Sequence, residues 1–233
     1  MKVVGVISSP HADGSGAALV RAALAGARKE GATVFEVFLS DRNIEFCRDC
    51  RGCMMSGRCV IDDDFEEVRS QLLAADGMIL CSPTYGRAMN ARMKNLFDRL
   101  GQLAFLTSAL GGKYVVGMAT AGGSGAKTVA RQLAANVQHG VFRRGYVTGT
   151  LAVHLHGKNA SSEPKALRAA ASLGRKIVAD FSTKKRFPLQ NLPGRLPNAL
   201  VMRPMIKKGI ERNKDAMKGA YEALVRSGIL SGV

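Results

Sequence analysis

Lys2-Val3-Val4-Gly5-Val6-Ile7-Ser8-Ser9-Pro10-His11-Ala12-Asp13-Gly14-Ser15-Gly16-Ala17 opens the chain, and its reading decides the fold. Val3, Val4, Val6 and Ile7 give residues 2–8 the β-branched character of a strand. Proline and glycines then break the run, and an alanine-rich stretch follows over 17–30. Its Ala18, Leu19, Ala22, Ala23 and Ala27 fall at helical spacing, with Gly31 as a stop. Residues 33–39 read as a second strand. A helix between two strands is the crossover that makes them parallel.

The alternation continues to residue 183. Asp62-Asp63-Asp64 places acids at the positive end of a helix dipole and opens a helix over 62–75. Residues 77–82 are a strand apolar enough to be buried on both faces. A loop at 83–87, a helix at 90–103, a strand at 113–120, a helix at 126–139, a strand at 141–151 and a helix at 162–183 complete the series. The expected fold is α/β: a doubly wound five-stranded parallel sheet with helices on both faces. Beyond it, 184–197 holds three of the seven prolines and reads as an extended connector. A basic amphipathic helix over 205–227 follows, with Met205, Ile206, Ile210, Met217, Tyr221 and Leu224 available to one face. The expected division is therefore 1–183 as the α/β domain and 184–233 as a connector and C-terminal helix. That helix suits packing or subunit contact, with a membrane surface as the other option.

At 233 residues and 46% hydrophobic, the chain has room for one α/β core and an appendage. No apolar run approaches the length that crosses a bilayer. The N-terminus reads as a strand rather than a signal sequence, so a reducing, cytoplasmic location is expected. The formal net charge is +16, and the residues from Lys184 onward supply +8 of it. Such a surface attracts nucleic acid, an anionic membrane face or an acidic protein such as a ferredoxin, or is simply solvated.

Four of the five cysteines lie in Cys47-Arg48-Asp49-Cys50-Arg51-Gly52-Cys53-Met54-Met55-Ser56-Gly57-Arg58-Cys59, inside an insert at 43–61 after the second strand. In a chain of this size without a secretory signal, a disulfide framework is not expected. Structural zinc usually takes two separated knuckles. The compact C-x2-C-x2-C-x5-C spacing instead resembles that of iron–sulfur cubes, with zinc or a metal-free thiol cluster as alternatives. Arg48, Arg51 and Arg58 flank these thiols and would place positive charge beside a cluster. Cys81 ends a buried strand and reads as core. His154 and His156 are a weak metal signal, and His139 looks like a helix end.

In a doubly wound sheet, ligands sit beyond the carboxyl ends of the strands. Three loops fall there. Residues 8–17 bring Ser9 and Ser15 hydroxyls and helix N-terminal N–H groups to a place suited to phosphate, without a dinucleotide fingerprint. Ser82-Pro83-Thr84-Tyr85-Gly86 suits a planar ligand. Thr120-Ala121-Gly122-Gly123-Ser124-Gly125-Ala126-Lys127-Thr128 lacks the intact G-K-T triplet of a triphosphate loop and fits better as a glycine-rich wall against a flat ring.

Together these motifs resemble the NAD(P)H-dependent FMN reductase group of flavodoxin-like proteins, and the cysteine insert is similar to that of the iron–sulfur flavoproteins within it. The resemblance covers about residues 1–180. It implies FMN, with the phosphate held by Ser9, His11, Ser15, Gly16 and Ala17. The ring would lie between Pro83, Thr84, Tyr85 and Gly86 on one side and Thr120, Gly122 and Gly123 on the other. It further implies a [4Fe–4S] cluster on Cys47, Cys50, Cys53 and Cys59, and a homodimer or homotetramer in which one subunit's cluster approaches a neighbour's flavin. His11 stands where an arginine is usual, and Ser15-Gly16 where Asn-Thr is usual. The expected activity is flavin-dependent electron transfer between FMN and the cluster, with NAD(P)H or a reduced ferredoxin as donor and no side chain named as catalytic. The alternatives are an NAD(P)H-dependent FMN or quinone reductase without a cluster, and a basic nucleic-acid-binding or regulatory module using the tail.

Overall fold

The computed structural model of the chain describes residues 1–190 and 192–231. Its strands are β1 (Lys2–Ile7), β2 (Thr33–Phe38), β3 (Gly77–Tyr85), β4 (Ala88–Met89), β5 (Tyr114–Ala121) and β6 (Tyr146–His154). Five of them form a parallel sheet in the order β2-β1-β3-β5-β6. This is the flavodoxin-like order, in which the chain switches direction across the sheet between β1 and β3. The crossovers are α1 (Ser15–Lys29), α2 (Gly52–Ser56), α3 (Phe65–Ala74), α4 (Ala91–Thr107), α5 (Ala126–Gln138) and α6 (Pro164–Ser182).

Period-two alternation distributes the strands between two cores. Val4, Val6, Met78, Leu80, Val115 and Ala119 face α3, α4 and α5. Val3, Ile7, Ile79, Cys81, Val116 and Met118 face α1 and α6. Covering both faces is why β1, β3 and β5 are apolar almost throughout. Helices α1 and α6 touch backbone to backbone. A Cβ on Gly174 would lie 1.8 Å from the Ala23 carbonyl oxygen, and one on Gly26 2.1 Å from that of Ala171.

The expected loop at 83–87 is instead the end of β3 and a hairpin. Thr84 pairs with Met89 and Tyr85 with Ala88, antiparallel, which adds β4 as a sixth strand. The turn is made by Gly86 and Arg87 at φ 55 and 64, the left-handed pair that matches strand twist. Pro83 is tolerated because Cys81, two residues earlier, directs its carbonyl to Ser8 N–H on the β1 side. The pairing of β1 with β3 ends at Ile7 and Cys81, so the missing N–H of Pro83 faces a place with no strand.

Other boundaries move for local reasons. The last strand starts at Tyr146 rather than 141, because 141–145 form a turn in which Phe142 N–H donates to Ser108 Oγ. Gly145 in that turn sits where a Cβ would be 2.5 Å from the Val137 carbonyl oxygen. Helix α3 starts at Phe65, directly after the three aspartates, with Asp64 as its N-cap. Helix α4 is longer than expected and is broken at Gly101, with φ 35 and ψ −138.

The tail differs most. The expected extended connector is helical from Leu192, through α7 (Leu192–Pro197) and a π turn at Asn198–Met202. The expected single helix is two, α8 (Arg203–Arg212) and α9 (Lys218–Arg226). The break falls at Asn213, whose side chain bonds back to the Gly209 carbonyl and competes with the helix. Ile210, Leu224 and Leu230 are buried, with Ile206, Met217, Tyr221, Leu106 and Phe142 packed around them. Met205, expected on that face, is exposed. No helix among the described residues is long and apolar enough to cross a membrane.

The α1–α6 contact gives a direct test. Gly174→Ala and Gly26→Ala should each lower stability by about 1–3 kcal/mol or more in urea denaturation, because a methyl meets backbone that cannot rotate away. Gly209→Ala in α8 meets nothing within 4 Å and should be neutral or stabilising.

Candidate functional site

The first loop ends in the N-terminus of α1, capped by Gly14 with no side-chain cap and no acid in the first turn. The N–H groups of Ser15, Gly16 and Ala17 precede the first intrahelical bond, from Ala18 to Gly14, so they remain available as donors at a positive dipole end. Ser9 Oγ accepts from His11 N–H, which shapes the turn. Ser15 is engaged differently from expectation. Its hydroxyl donates to Asn159 Oδ1 and accepts from Ala160 N–H, stapling α1 to the segment before α6. The loop therefore offers an anion chiefly backbone N–H groups.

The second and third loops meet. Pro83 pairs with Thr120 across β3 and β5. A Cβ on Gly125 would lie 3.1 Å from Thr84 Cγ2 and 3.4 Å from Arg87 Cα. Thr84 Oγ1 is buried with no hydrogen-bond partner, an unmet polar atom beside this junction. At Gly86, Gly122 and Gly123 an added Cβ would meet nothing within 4 Å, so the backbone there borders open space. Tyr85 is exposed and Thr120 buried.

Two features of this region were not picked out from the sequence. The first is Asn90, the N-cap of α4. Its Nδ2 donates to the Ser8 carbonyl at 2.6 Å, its N–H donates to Ser82 Oγ, and its Oδ1 accepts from Met93 N–H. It thus ties the first loop to the second. The second feature is the segment after β6. Leu155 and His156 donate their N–H groups to Ala121 and Gly122, and His154 Nδ1 lies 2.6 Å from the Gly123 carbonyl oxygen. The two histidines brace the glycine wall, which replaces their weak metal reading. Their alternation at a strand's carboxyl end was the available signal.

The cysteine segment folds on α4 and α3. Asn95 and Arg99, one turn apart on α4, donate to the carbonyls of Ile44 and Glu45. Asp63 accepts from Glu45 N–H and from Arg99, and Asp64 from Asn43 N–H. Asp63 and Asp64 stand at the start of α3 as expected, Asp64 as its N-cap and Asp63 accepting from Phe65 N–H, and they anchor the insert as well. Arg99 and Asp63 form an ion pair at 2.6 Å, their side chains 1% and 0% exposed. Burial disfavours the Asp63 charge. The hydrogen bonds from Arg99 and from the Glu45 and Phe65 N–H groups outweigh it and hold the carboxyl below its ordinary range.

Cys47, Cys50, Cys53 and Cys59 line one cavity of about 160 Å³, together with Arg48, Arg51 and Arg99. Burial pushes the Cys53 thiol up, and so do the charges of Cys59, Cys47 and Cys50. Among the described residues no three His, Cys, Asp or Glu side chains are gathered tightly enough to hold a single metal ion. Cys81 lies apart, in the core, its thiol pushed up to about 12 by burial. The tail covers the insert from the other side: Met54 of α2 packs with Leu103 and Ala220. Gly219 of α9 rests on Gly57, where a Cβ would lie 2.0 Å from the Gly57 nitrogen.

Comparison with known proteins bears on the family and the fold. Residues 1–158 match the family described as NADPH-dependent FMN reductase. An iron–sulfur flavoprotein of Archaeoglobus fulgidus is 31% identical over 190 residues, covering 80% of this chain and 83% of that one. An iron–sulfur flavoprotein of Methanocaldococcus jannaschii is 36% identical over 126 residues, 53% of this chain, which spans 65% of that protein's length. Among solved structures, a flavone reductase matches with a TM-score of 0.65 at 18% identity, over 80% of this chain and 65% of that one, a likeness of fold.

The buried pair makes a prediction. Asp63→Asn leaves the Arg99 charge without its counter-ion and should cost about 3–5 kcal/mol in chemical denaturation. The native carboxyl titrates below its unfolded value, so this stabilisation is complete above about pH 4 and is lost as pH falls through the folded value. The wild-type protein should show that acid-side loss, and Asp63→Asn should lack its share of it.

Proposed function

The chain belongs to the NADPH-dependent FMN reductase family, and from that premise we propose that it is an FMN-dependent oxidoreductase passing electrons between the flavin and a [4Fe–4S] cluster on Cys47, Cys50, Cys53 and Cys59. One observation carries the reading: three ligand-suited loops converge beyond the carboxyl ends of β1, β3 and β5, at the switch in strand order, and α4 runs from there to the four thiols. When bound, the flavin supplies two-electron exchange with a hydride donor and one-electron exchange with a cluster. The protein's part is to bind, orient and shield.

The residues present fit FMN. The α1 N-terminus gives the phosphate N–H donors and a favourable dipole. Thr84 Oγ1, buried and unpartnered, is a ready donor to a ring heteroatom. The bare backbone at Gly122 and Gly123 lets a flat ring approach. The cysteine cavity fits a cluster by its chemistry. Four soft thiolate donors with no imidazole among the lining residues suit iron–sulfur or zinc rather than a hard cation. Arg48, Arg51 and Arg99 bring positive charge to the cavity, which Asp49 and Asp98 also line.

The donor is NAD(P)H or a reduced, acidic ferredoxin, for which the basic surface is complementary. A homodimer or homotetramer and a reducing cytoplasmic setting belong to the same reading. A reductase without a cluster is the second reading, because no three ligands converge on a point.

Protein purified without air should hold about one FMN, about four irons and about four sulfides per chain and show both chromophores. Colourless, zinc-bearing protein without flavin would overturn the proposal. Replacing all four cysteines by serine should abolish electron transfer to a one-electron acceptor, whereas full turnover by that variant would favour the cluster-free reductase. Gly122→Val should weaken FMN binding roughly tenfold or more, about 1.4 kcal/mol, with stability unchanged, as fluorescence titration would show.

A further inference from the structure

Arg99 is unusual among the arginines of this chain. Its side chain is almost fully buried, and it stands at a cavity whose other arginines are exposed. A guanidinium has five N–H donors. Nη1 donates to the Glu45 carbonyl at 2.7 Å and to Asp63 Oδ2 at 2.6 Å. Nη2 donates to Asp63 Oδ1 at 3.0 Å and to Cys59 Sγ at 3.3 Å. The fifth donor, Nε–H, is buried with no partner. The Phe65 ring lies 4.5 Å from the guanidinium carbon. Among the described residues no other side chain donates to a cysteine sulfur.

We infer that Arg99 is a positioning residue for electron transfer: it fixes the Cys59 sulfur at the cavity and raises the reduction potential of the cluster held there. The inference rests on the cluster reading above. Asp63 is itself fixed, accepting from the Glu45 and Phe65 N–H groups, so the fork of Arg99 has one orientation. That orientation aims Nη2 at Cys59, whose own N–H is held by Glu66 Oε1. Cys47 and Cys50 are exposed and depend on the loop alone. The sulfur end of the pair faces the cation, while Asp63 balances the charge from behind. A reduced cluster carries one more negative charge than an oxidised one, and a hydrogen bond to a ligating sulfur favours the more negative state. The idle Nε–H is a second donor for that state. Lysine would keep the charge but lose the fork, so Arg99 is chosen for geometry.

The test uses the full chain, purified without air and loaded with iron and sulfide. Arg99→Lys is compared with the Asp63→Asn/Arg99→Met double variant, which removes both buried charges so that neither is stranded. Flavin content reads whether each variant is folded, because the flavin loops lie at the other end of α4. The cysteines are alkylated with iodoacetamide and mapped by mass spectrometry, and the cluster potential is measured by redox titration followed by electron paramagnetic resonance. The wild type should protect all four thiols. In the double variant Cys59 should be labelled roughly tenfold faster while Cys47, Cys50 and Cys53 stay protected. In Arg99→Lys the constant for cluster reduction should fall about tenfold, or about 59 mV for one electron. Folded variants with wild-type labelling and potential would overturn the inference while leaving the cluster reading intact. A wild type whose thiols iron does not protect would overturn the cluster reading, and this inference with it.

Discussion

Helix α4 is held at its start and near its middle by buried polar contacts, and both halves of the site depend on it. At its start, Asn90 spends its side chain on Ser8 and on the cap, and its N–H on Ser82. Nine residues on, Arg99 binds Asp63, Glu45 and Cys59. Helical rise puts these two residues about 14 Å apart. Either contact, if broken, strands buried donors or a buried charge, so neither point is free to drift. The flavin loops and the cysteine insert are therefore spaced by one rigid element. The break in α4 comes only at Gly101, past both anchors.

The tail completes the insert from outside. Short segments with few apolar contacts are the least stable parts of a fold, and α2 is a five-residue helix flanked by left-handed Arg51 and Gly57. It could not hold itself. Met54 gains a hydrophobic setting only because Leu103 and Ala220 close over it. The contact of Gly57 with Gly219 brings two backbones together where no side chain fits. The basic amphipathic tail, expected to serve packing or subunit contact, packs as a wall of the thiol-bearing loop.

What was legible in the sequence follows from the range of the interactions. Strand and helix identities rest on periodicity within ten or so residues, so the five parallel strands and their crossovers were readable from Lys2 onward. The three loops were readable because β-α turns carry local glycine and serine chemistry. Asn90 looked like a routine helix start, since its partner Ser8 is 82 residues away. Nothing local marked Arg99, since its partner Asp63 is 36 residues away. The aspartate run 62–64 was legible as a helix start, but its second task, the long-range bonds from Asp63 and Asp64 to the insert, was not. In the tail, proline suggested an extended connector, but Pro193 and Pro197 sit in helical turns, at a φ that proline already favours.

Burying an ion pair at the centre of such a site needs a reason, because a well-packed apolar pair of similar volume is often as stable or more so. Stability alone does not select Arg99 and Asp63. Two backbone groups of the insert, Glu45 N–H and Glu45 C=O, and the Phe65 N–H that opens α3 have the pair as their partner. An apolar replacement would leave them unmet in a loop with almost no regular structure. The pair thus substitutes for the sheet or helix bonds that the insert lacks, and it does so with a geometry that leaves one N–H directed at a sulfur. A loop that must present four thiols cannot also satisfy its own backbone, so the bonds come from an element that is already fixed. Helix α4 is that element.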